Sequence, residues 1–174
     1  MNSLNSITGF NTNGGIHEVP VPGVDGRMWL CGKHFIAPNV HDVRTSTDNA
    51  TVVCLVERFE LEDRYPDYLT WLDSAPDHGN AIWYPIHDMH APHIDNAIEF
   101  YGQLADSLRT GQNLVVHCAA GIGRAGTTAA GVLMTLGATH DEALNTVAQS
   151  RPMAGPQTRE QELFMQAVSL RLQR

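Results

Sequence analysis

Residues 114–126 read Leu-Val-Val-His-Cys-Ala-Ala-Gly-Ile-Gly-Arg-Ala-Gly, and the reading of this stretch decides the fold. Leu114, Val115 and Val116 form an apolar run that leads into His117 and Cys118. Five small or apolar residues then separate Cys118 from Arg124, and helix-compatible residues follow from Gly126. The pattern predicts a buried strand, a tight loop and a helix whose N-terminus points back at the loop. A helix N-terminus presents unpaired N–H groups and the positive end of its dipole, so the loop before it is a ready anion site. Gly121 and Gly123 accept backbone angles that let successive N–H groups converge on one point, and Arg124 adds a planar fork for two phosphate oxygens. Cys118 is expected to lose its proton readily there. A free thiol titrates at about 8.5, and helix N-termini or cationic neighbours lower this to roughly 3.5–7.5. The stretch therefore points to a thiolate nucleophile beneath a bound phosphorus atom.

His117-Cys118-Ala119-Ala120-Gly121-Ile122-Gly123-Arg124 resembles the His-Cys-x5-Arg signature of the protein tyrosine phosphatase superfamily, in its compact dual-specificity branch. The resemblance covers Met28 to Leu172 and implies that family's fold, a short central sheet flanked by helices with the catalytic loop between a central strand and a buried helix. It implies Cys118 as nucleophile, Arg124 and the loop residues Ala119, Ala120, Gly121, Ile122 and Gly123 as the phosphate cradle, and His117 as a support for the loop. One position departs from the family: Ser or Thr usually follows the Arg, where its hydroxyl helps the thiolate leave the phosphoenzyme, and this chain has Ala125. Thr127 and Thr128 are the nearby hydroxyls.

Upstream, Ile16 to Val21 and Arg27 to Cys31 read as a hairpin or two edge strands around an Asp25-Gly26 turn, with Pro20 and Pro22 favouring an edge. His34 to Val40 reads as a connector. Thr51 to Val56 is a short β-branched run expected to be a central strand, and Ala81 to Ile86 is another strand. Between them lie a charged, irregular stretch from Glu57 to Pro66 and a short helix near Tyr68. Ile94, Ala97, Ile98, Tyr101, Ala105 and Leu108 recur at helical spacing, which predicts an amphipathic helix ending near Gly111. Downstream, a helix from Gly126 to Leu136 ends at Gly137, and capping-box patterns at Thr139–Glu142 and Thr158–Gln161 open two more. This order of strands and helices is α/β with part of the sheet parallel.

Cleaving a phosphate ester requires a proton for the leaving oxygen. The resemblance places the acid on the loop between the strand and the long helix that precede the cysteine, which here is Asp88, with Asp95 as the substitute. His87, His90 and His93 crowd the same loop, read as rim residues rather than a metal site because no Cys or carboxylate pattern completes one. Gln161 follows an Arg-Pro pair and a short loop, where the family often has a Gln that positions the attacking water; the capping box explains it equally well. Arg58 reads as an exposed loop residue or part of the pocket rim. Some members of the resembled family protect the catalytic cysteine by a disulfide to a second cysteine on a neighbouring strand, so the resemblance makes Cys54 a candidate partner for Cys118. The alternative is a small buried hydrophobe, and strand register decides which.

With 174 residues, 43% hydrophobic and 17% charged, the chain is expected to be a single globular domain with a loose arm over 1–15. A formal net charge of −8 argues against nucleic acid or an anionic membrane as the main partner. Three cysteines make no disulfide framework, and the N-terminal residues lack a signal sequence, so a cytoplasmic location with free thiols is expected. No cofactor and no metal are expected. The expected function is a cysteine-dependent phosphatase acting on phosphotyrosine, with phosphoserine and phosphothreonine, in phosphoprotein partners through a phosphocysteine. The loop lacks the lysines that accompany phosphoinositide specificity in some relatives. The alternatives are a phosphatase for a non-protein phosphate such as a phosphoinositide, and, prompted by Ala125, a phosphoprotein-binding module with weak turnover.

Overall fold

The computed structural model describes residues 14–173; the arm expected over 1–15 lies outside that range except for Gly14 and Gly15. Five strands, β1 (Ile16–Val19), β2 (Met28–Gly32), β3 (Thr51–Cys54), β4 (Ala81–Trp83) and β5 (Leu114–Cys118), form one sheet in the order β1-β2-β5-β3-β4. β1 runs antiparallel to β2, and the remaining pairings are parallel. β1 is an edge, as its prolines suggest, but β2 is not, because β5 covers its other side. Every residue of β2, β3 and β5 is buried, which is why these strands read as continuous apolar runs rather than as alternations.

The segment read as a connector is helical. α1 (Lys33–Ile36), a single 3₁₀ turn at Ala37–Asn39 and α2 (Val40–Ser46) carry the chain from β2 to β3. Ile36, Val40 and Val43 stand at i, i+4 and i+7 and are all buried, so the helical signal was present. Pro38 is tolerated because it opens the 3₁₀ turn, where its missing N–H has no partner to lose.

The charged stretch after β3 holds α3 (Phe59–Glu62), and α4 (Pro66–Ser74) begins on a proline. The long amphipathic helix is α5 (Ile94–Arg109). α6 spans Gly123–Thr135, starting before the expected Gly126, so Arg124 sits in its first turn. α7 (His140–Ser150) is opened by a complete capping box from Thr139 and Glu142. α8 (Arg159–Leu172) completes the fold. Arg124 and ten successive residues of α6, Ala125 to Met134, are buried, which anchors the end of the 118–123 loop on a helix packed into the core. Among the described residues no helix is long and apolar enough to cross a membrane.

This topology puts the C-terminal end of β5, and with it Cys118, between parallel strands on both sides. That edge is where open α/β sheets bind their ligands.

Candidate active site

The loop from Cys118 to Gly123 is held by its carbonyl groups. The Ala119 carbonyl accepts from Lys33 N at 3.1 Å, and the Ile122 carbonyl accepts from Gly126 N at 2.9 Å and Gly155 N at 3.1 Å. The Ala120 carbonyl accepts from Arg151 Nη2 at 2.9 Å. Among the described residues the amides of Ala119, Ala120, Gly121 and Ile122 donate to no acceptor. Carbonyls fastened outward leave those N–H groups facing the interior of the loop. Ile122 at the N-cap of α6 supplies no side-chain cap, so the first-turn amides of the helix stay open as well. Two glycines make this shape possible. Gly121 has φ of 73°, and a Cβ there would lie 2.3 Å from the Cys31 carbonyl oxygen; a Cβ on Gly126 would lie 2.2 Å from Gly155 N.

Arg124 is fixed before any ligand arrives. Its side chain is 1% exposed. Nη1 donates to Glu60 Oε2 at 2.8 Å and to the Ile86 carbonyl at 2.8 Å, and Nη2 donates to Glu60 Oε1 at 2.9 Å. Nε is buried with no partner. A buried donor without an acceptor is rare in a folded protein, and this one lies on the residue next to the open loop amides. Burial by itself would raise the Glu60 carboxyl's pKa, but hydrogen bonds from Arg124, the Glu57 backbone, and the charges of Arg124 and Lys33 hold it below the usual range. Burial opposes the Arg124 charge in the same way and is outweighed chiefly by Glu60, so the guanidinium stays firmly protonated. Glu60 is held in turn by the Glu57 amide at 2.9 Å, and Lys33 Nζ donates to its carbonyl at 2.8 Å.

Asp88 comes from the other side. Its Oδ1 lies 3.0 Å from Arg124 Nη2, while its side chain remains 57% exposed and so is open to solvent. Asp95 is elsewhere: it sits in the first turn of α5 and pairs with Arg171 at 2.5 Å. The histidines around Asp88, read as rim residues, also make ion pairs across the surface. His87 pairs with Glu57 at 2.8 Å, and His90 pairs with Glu160 at 3.0 Å. His93 caps α5 without a side-chain bond. Among the described residues no group of His, Cys, Asp and Glu is arranged to hold a metal ion.

Gln161 lies beside both loops. Its backbone N–H donates to Thr158 Oγ1, the first half of the expected capping box, but its side chain does not return to Thr158. Instead Oε1 accepts from Gln157 N at 2.8 Å and Nε2 donates to the His90 carbonyl at 3.1 Å. A Cβ on Gly123 would lie 3.5 Å from Oε1, so the Gln161 side chain stands close to the start of α6. His117 is fully buried under that loop, and Nε2 meets the Tyr68 hydroxyl at 2.7 Å. Burial lowers its pKa to about 4, against the pull of the Cys118 backbone, so the ring is neutral and structural.

Register decides the cysteine question. Cys54 and Cys31 both stand opposite His117, and neighbouring strand residues point to opposite faces, so Cys54 shares the face of His117 rather than that of Cys118. All three cysteines are free, and burial pushes the Cys54 thiol up to about 12. Arg58 pairs with Asp73 and stacks 5.1 Å over Trp83. It belongs to a groove of about 620 Å³ lined by Glu57, Phe59, Glu62, Trp83 and Pro85, beside the acid loop. Ala125 is fully buried, and the hydroxyls of Thr127 and Thr128 are buried beside it in α6.

Sequence reasoning missed two residues. Glu60 and Arg151 both hold the loop, and both lie far along the chain from it. Arg151 is buried without a carboxylate: Nη1 donates to the carbonyls of Gly14 and Gly15 at 2.8 and 3.1 Å, and Nη2 to Ala120. The only signal was the Arg-Pro pair before Gln161.

Comparisons with known proteins bear on the family and the fold. The family model for the DSP-PTPase phosphatase domain of Swiss Army Knife proteins matches residues 38–169. No curated protein matches the chain. Among solved structures, Tk-PTP in its active form is similar at 27% identity and a TM-score of 0.66, over 88% of this chain and 97% of that one. Kinase associated phosphatase, with serine in place of its catalytic-site cysteine, is similar at 20% identity and a TM-score of 0.72, over 91% and 95%. PTPMT1 in complex with PI(5)P is similar at 14% identity and a TM-score of 0.64, over 84% and 92%.

Proposed function

The chain belongs to the DSP-PTPase family of phosphatase domains, and we propose that it hydrolyses phosphotyrosine, together with phosphoserine and phosphothreonine, in protein substrates through a phosphocysteine at Cys118. One observation carries the reading. Beside Cys118 a pre-aimed arginine keeps a buried Nε without a partner, next to four loop amides that donate to nothing among the described residues. A phosphoryl group satisfies all of these donors at once.

In the proposed reaction the Cys118 thiolate attacks phosphorus and forms the S–P bond as the bond from phosphorus to the leaving oxygen breaks. The Asp88 carboxyl delivers its proton to that oxygen. Water then attacks the phosphocysteine, Asp88 takes a proton from it, and the S–P bond breaks to return the thiolate and release inorganic phosphate. The loop amides and Arg124 stabilise the equatorial oxygens in both steps.

Two features support a protein substrate. The loop side chains Ala119, Ala120 and Ile122 bring no cation to a polyphosphorylated headgroup. The apolar groove of Phe59 and Trp83 flanks the acid loop, where a peptide side chain next to the phosphorylated residue would lie. The second reading, a phosphoinositide substrate, is favoured by the likeness to PTPMT1 in complex with PI(5)P. The test is turnover of an aryl phosphate, a panel of phosphopeptides and a panel of phosphoinositides by wild type and Cys118→Ser. The proposal expects phosphopeptide turnover in wild type, none in Cys118→Ser, and retained phosphopeptide binding by that variant. Residual activity near wild type in Cys118→Ser refutes the chemistry, and turnover confined to lipids refutes the substrate.

A further inference from the structure

The loop that presents Asp88 is fastened by a helix from the far end of the chain. Glu160, in the first turn of α8, accepts two hydrogen bonds from that loop: Ala91 N donates to Oε1 at 2.9 Å, and His90 Nδ1 donates to Oε2 at 3.0 Å. Two neighbours on the same helix end add to the grip. Thr158 Oγ1 donates to the Met89 carbonyl at 3.1 Å, and Gln161 Nε2 to the His90 carbonyl. On the opposite side His87 Nδ1 is tied to Glu57 Oε2. Asp88 thus lies between residues anchored on both sides.

The loop needs such anchors. Met89 has φ of 65°, a left-handed backbone that a residue with a side chain adopts only when its surroundings impose it. Its N–H is turned onto Asp88 Oδ1 at 3.0 Å, the same oxygen that meets Arg124. Relaxing Met89 would therefore move that carboxylate oxygen. The bonds that prevent relaxation come from the N-terminal end of α8. That helix end thereby sets where the loop carrying Asp88 lies.

We propose that Glu160, acting with His90, is the positioning residue that holds Asp88 at the leaving oxygen. The inference rests on the reading of Asp88 as the acid. The Glu160 carboxyl is held below its usual range, first by the Ala91 amide and then by His90, in keeping with a carboxylate that stays ionised as an acceptor. Glu160 is half exposed, so its replacement leaves the core intact.

A residue that acts through the acid affects only reactions that need the acid. Poor leaving groups need a proton, whereas good ones depart without it. The experiment measures kcat and KM for a series of aryl phosphates of increasing leaving-group pKa, using wild type, Glu160→Ala, Glu160→Gln, Asp88→Asn and the Glu160→Ala/Asp88→Asn pair. Asp88→Asn is expected to lose about 10²-fold or more in kcat on the poorest leaving groups. Glu160→Ala is expected to lose about tenfold on the same substrates, a share of that contribution. On the best leaving group it stays within about twofold, with KM unchanged throughout. Glu160→Gln, whose side-chain carbonyl still accepts from Ala91, recovers part of the loss. In the Asp88→Asn background Glu160→Ala adds nothing, because the group it positions is gone. A uniform loss across leaving groups, or no loss, in Glu160→Ala while Asp88→Asn keeps its dependence overturns the positioning role and leaves the acid assignment standing. Absence of that dependence in Asp88→Asn overturns both.

Discussion

Glu60→Gln keeps the volume of the side chain and removes its charge. Both Glu60 oxygens accept from Arg124, at 2.8 and 2.9 Å, and the two side chains are 9% and 1% exposed. Removing one member of a buried pair destabilises by about 3–5 kcal/mol, because the other charge is stranded. Here Arg124 keeps the Ile86 carbonyl and Asp88, and the glutamine carbonyl preserves one of the two lost bonds. The expected loss is therefore at the lower end, about 3 kcal/mol. At about 2–4 °C per kcal/mol for a domain of this size, the melting temperature falls by about 6–12 °C at pH 7. The pH dependence has a definite sign. The pKa of Glu60 is lower folded than its ordinary value of 4.5, so the stabilisation is complete above 4.5 and disappears as pH falls through the folded-state value. Glutamine has no such proton, so the gap between wild type and variant narrows on acidification below 4.5. Calorimetry at pH 7, 5, 4 and 3 measures it directly. A gap under about 1 kcal/mol at neutral pH, the range of a surface pair, refutes the assignment. So does a gap that does not narrow in acid.

Two further predictions concern the loop. Ala125→Ser restores the hydroxyl that the family places there; a charge-assisted hydrogen bond of about 1.5–3 kcal/mol to the departing thiolate should raise steady-state turnover by about tenfold or more and diminish any pre-steady-state burst. Rapid-quench kinetics showing a burst unchanged in size would remove Ala125 as a limit on dephosphorylation. Arg151→Met releases the Ala120 carbonyl, and the loss of one such bond, about 1–1.5 kcal/mol, should weaken inhibition by inorganic phosphate about tenfold. Arg151→Lys, which can regain Ala120 but not the Gly14 and Gly15 pair as well, should fall between; a lysine variant no better than methionine would assign the effect to the N-terminal contact instead.

What was legible in the sequence was what lies close together along it. The strand, loop and helix of residues 114–126 are contiguous, so local sterics and helix physics were enough to read Cys118 and Arg124. The same holds for α5, with its apolar period, and for the Thr139 capping box. The helical turns at residues 33–46 were hidden by Pro38 and by short element length, although Ile36, Val40 and Val43 carried the period. Asp88 was found only through resemblance, since one acidic loop residue has no local mark of an acid.

The sequence by itself determined which residues stand together on one loop: a cysteine and an arginine with five small or apolar residues between them, ahead of a helix. Tertiary structure decided how those residues are held. Glu60 reaches Arg124 across 64 positions, and Glu160 reaches His90 across 70. Pairings between such distant residues leave no periodic trace, because each partner satisfies only its own local rules as a charged residue in or beside a helical turn. The facing of Cys54 likewise depended on how β3 aligns with β5, which the sheet settles by matching buried faces and hydrogen-bond register across strands.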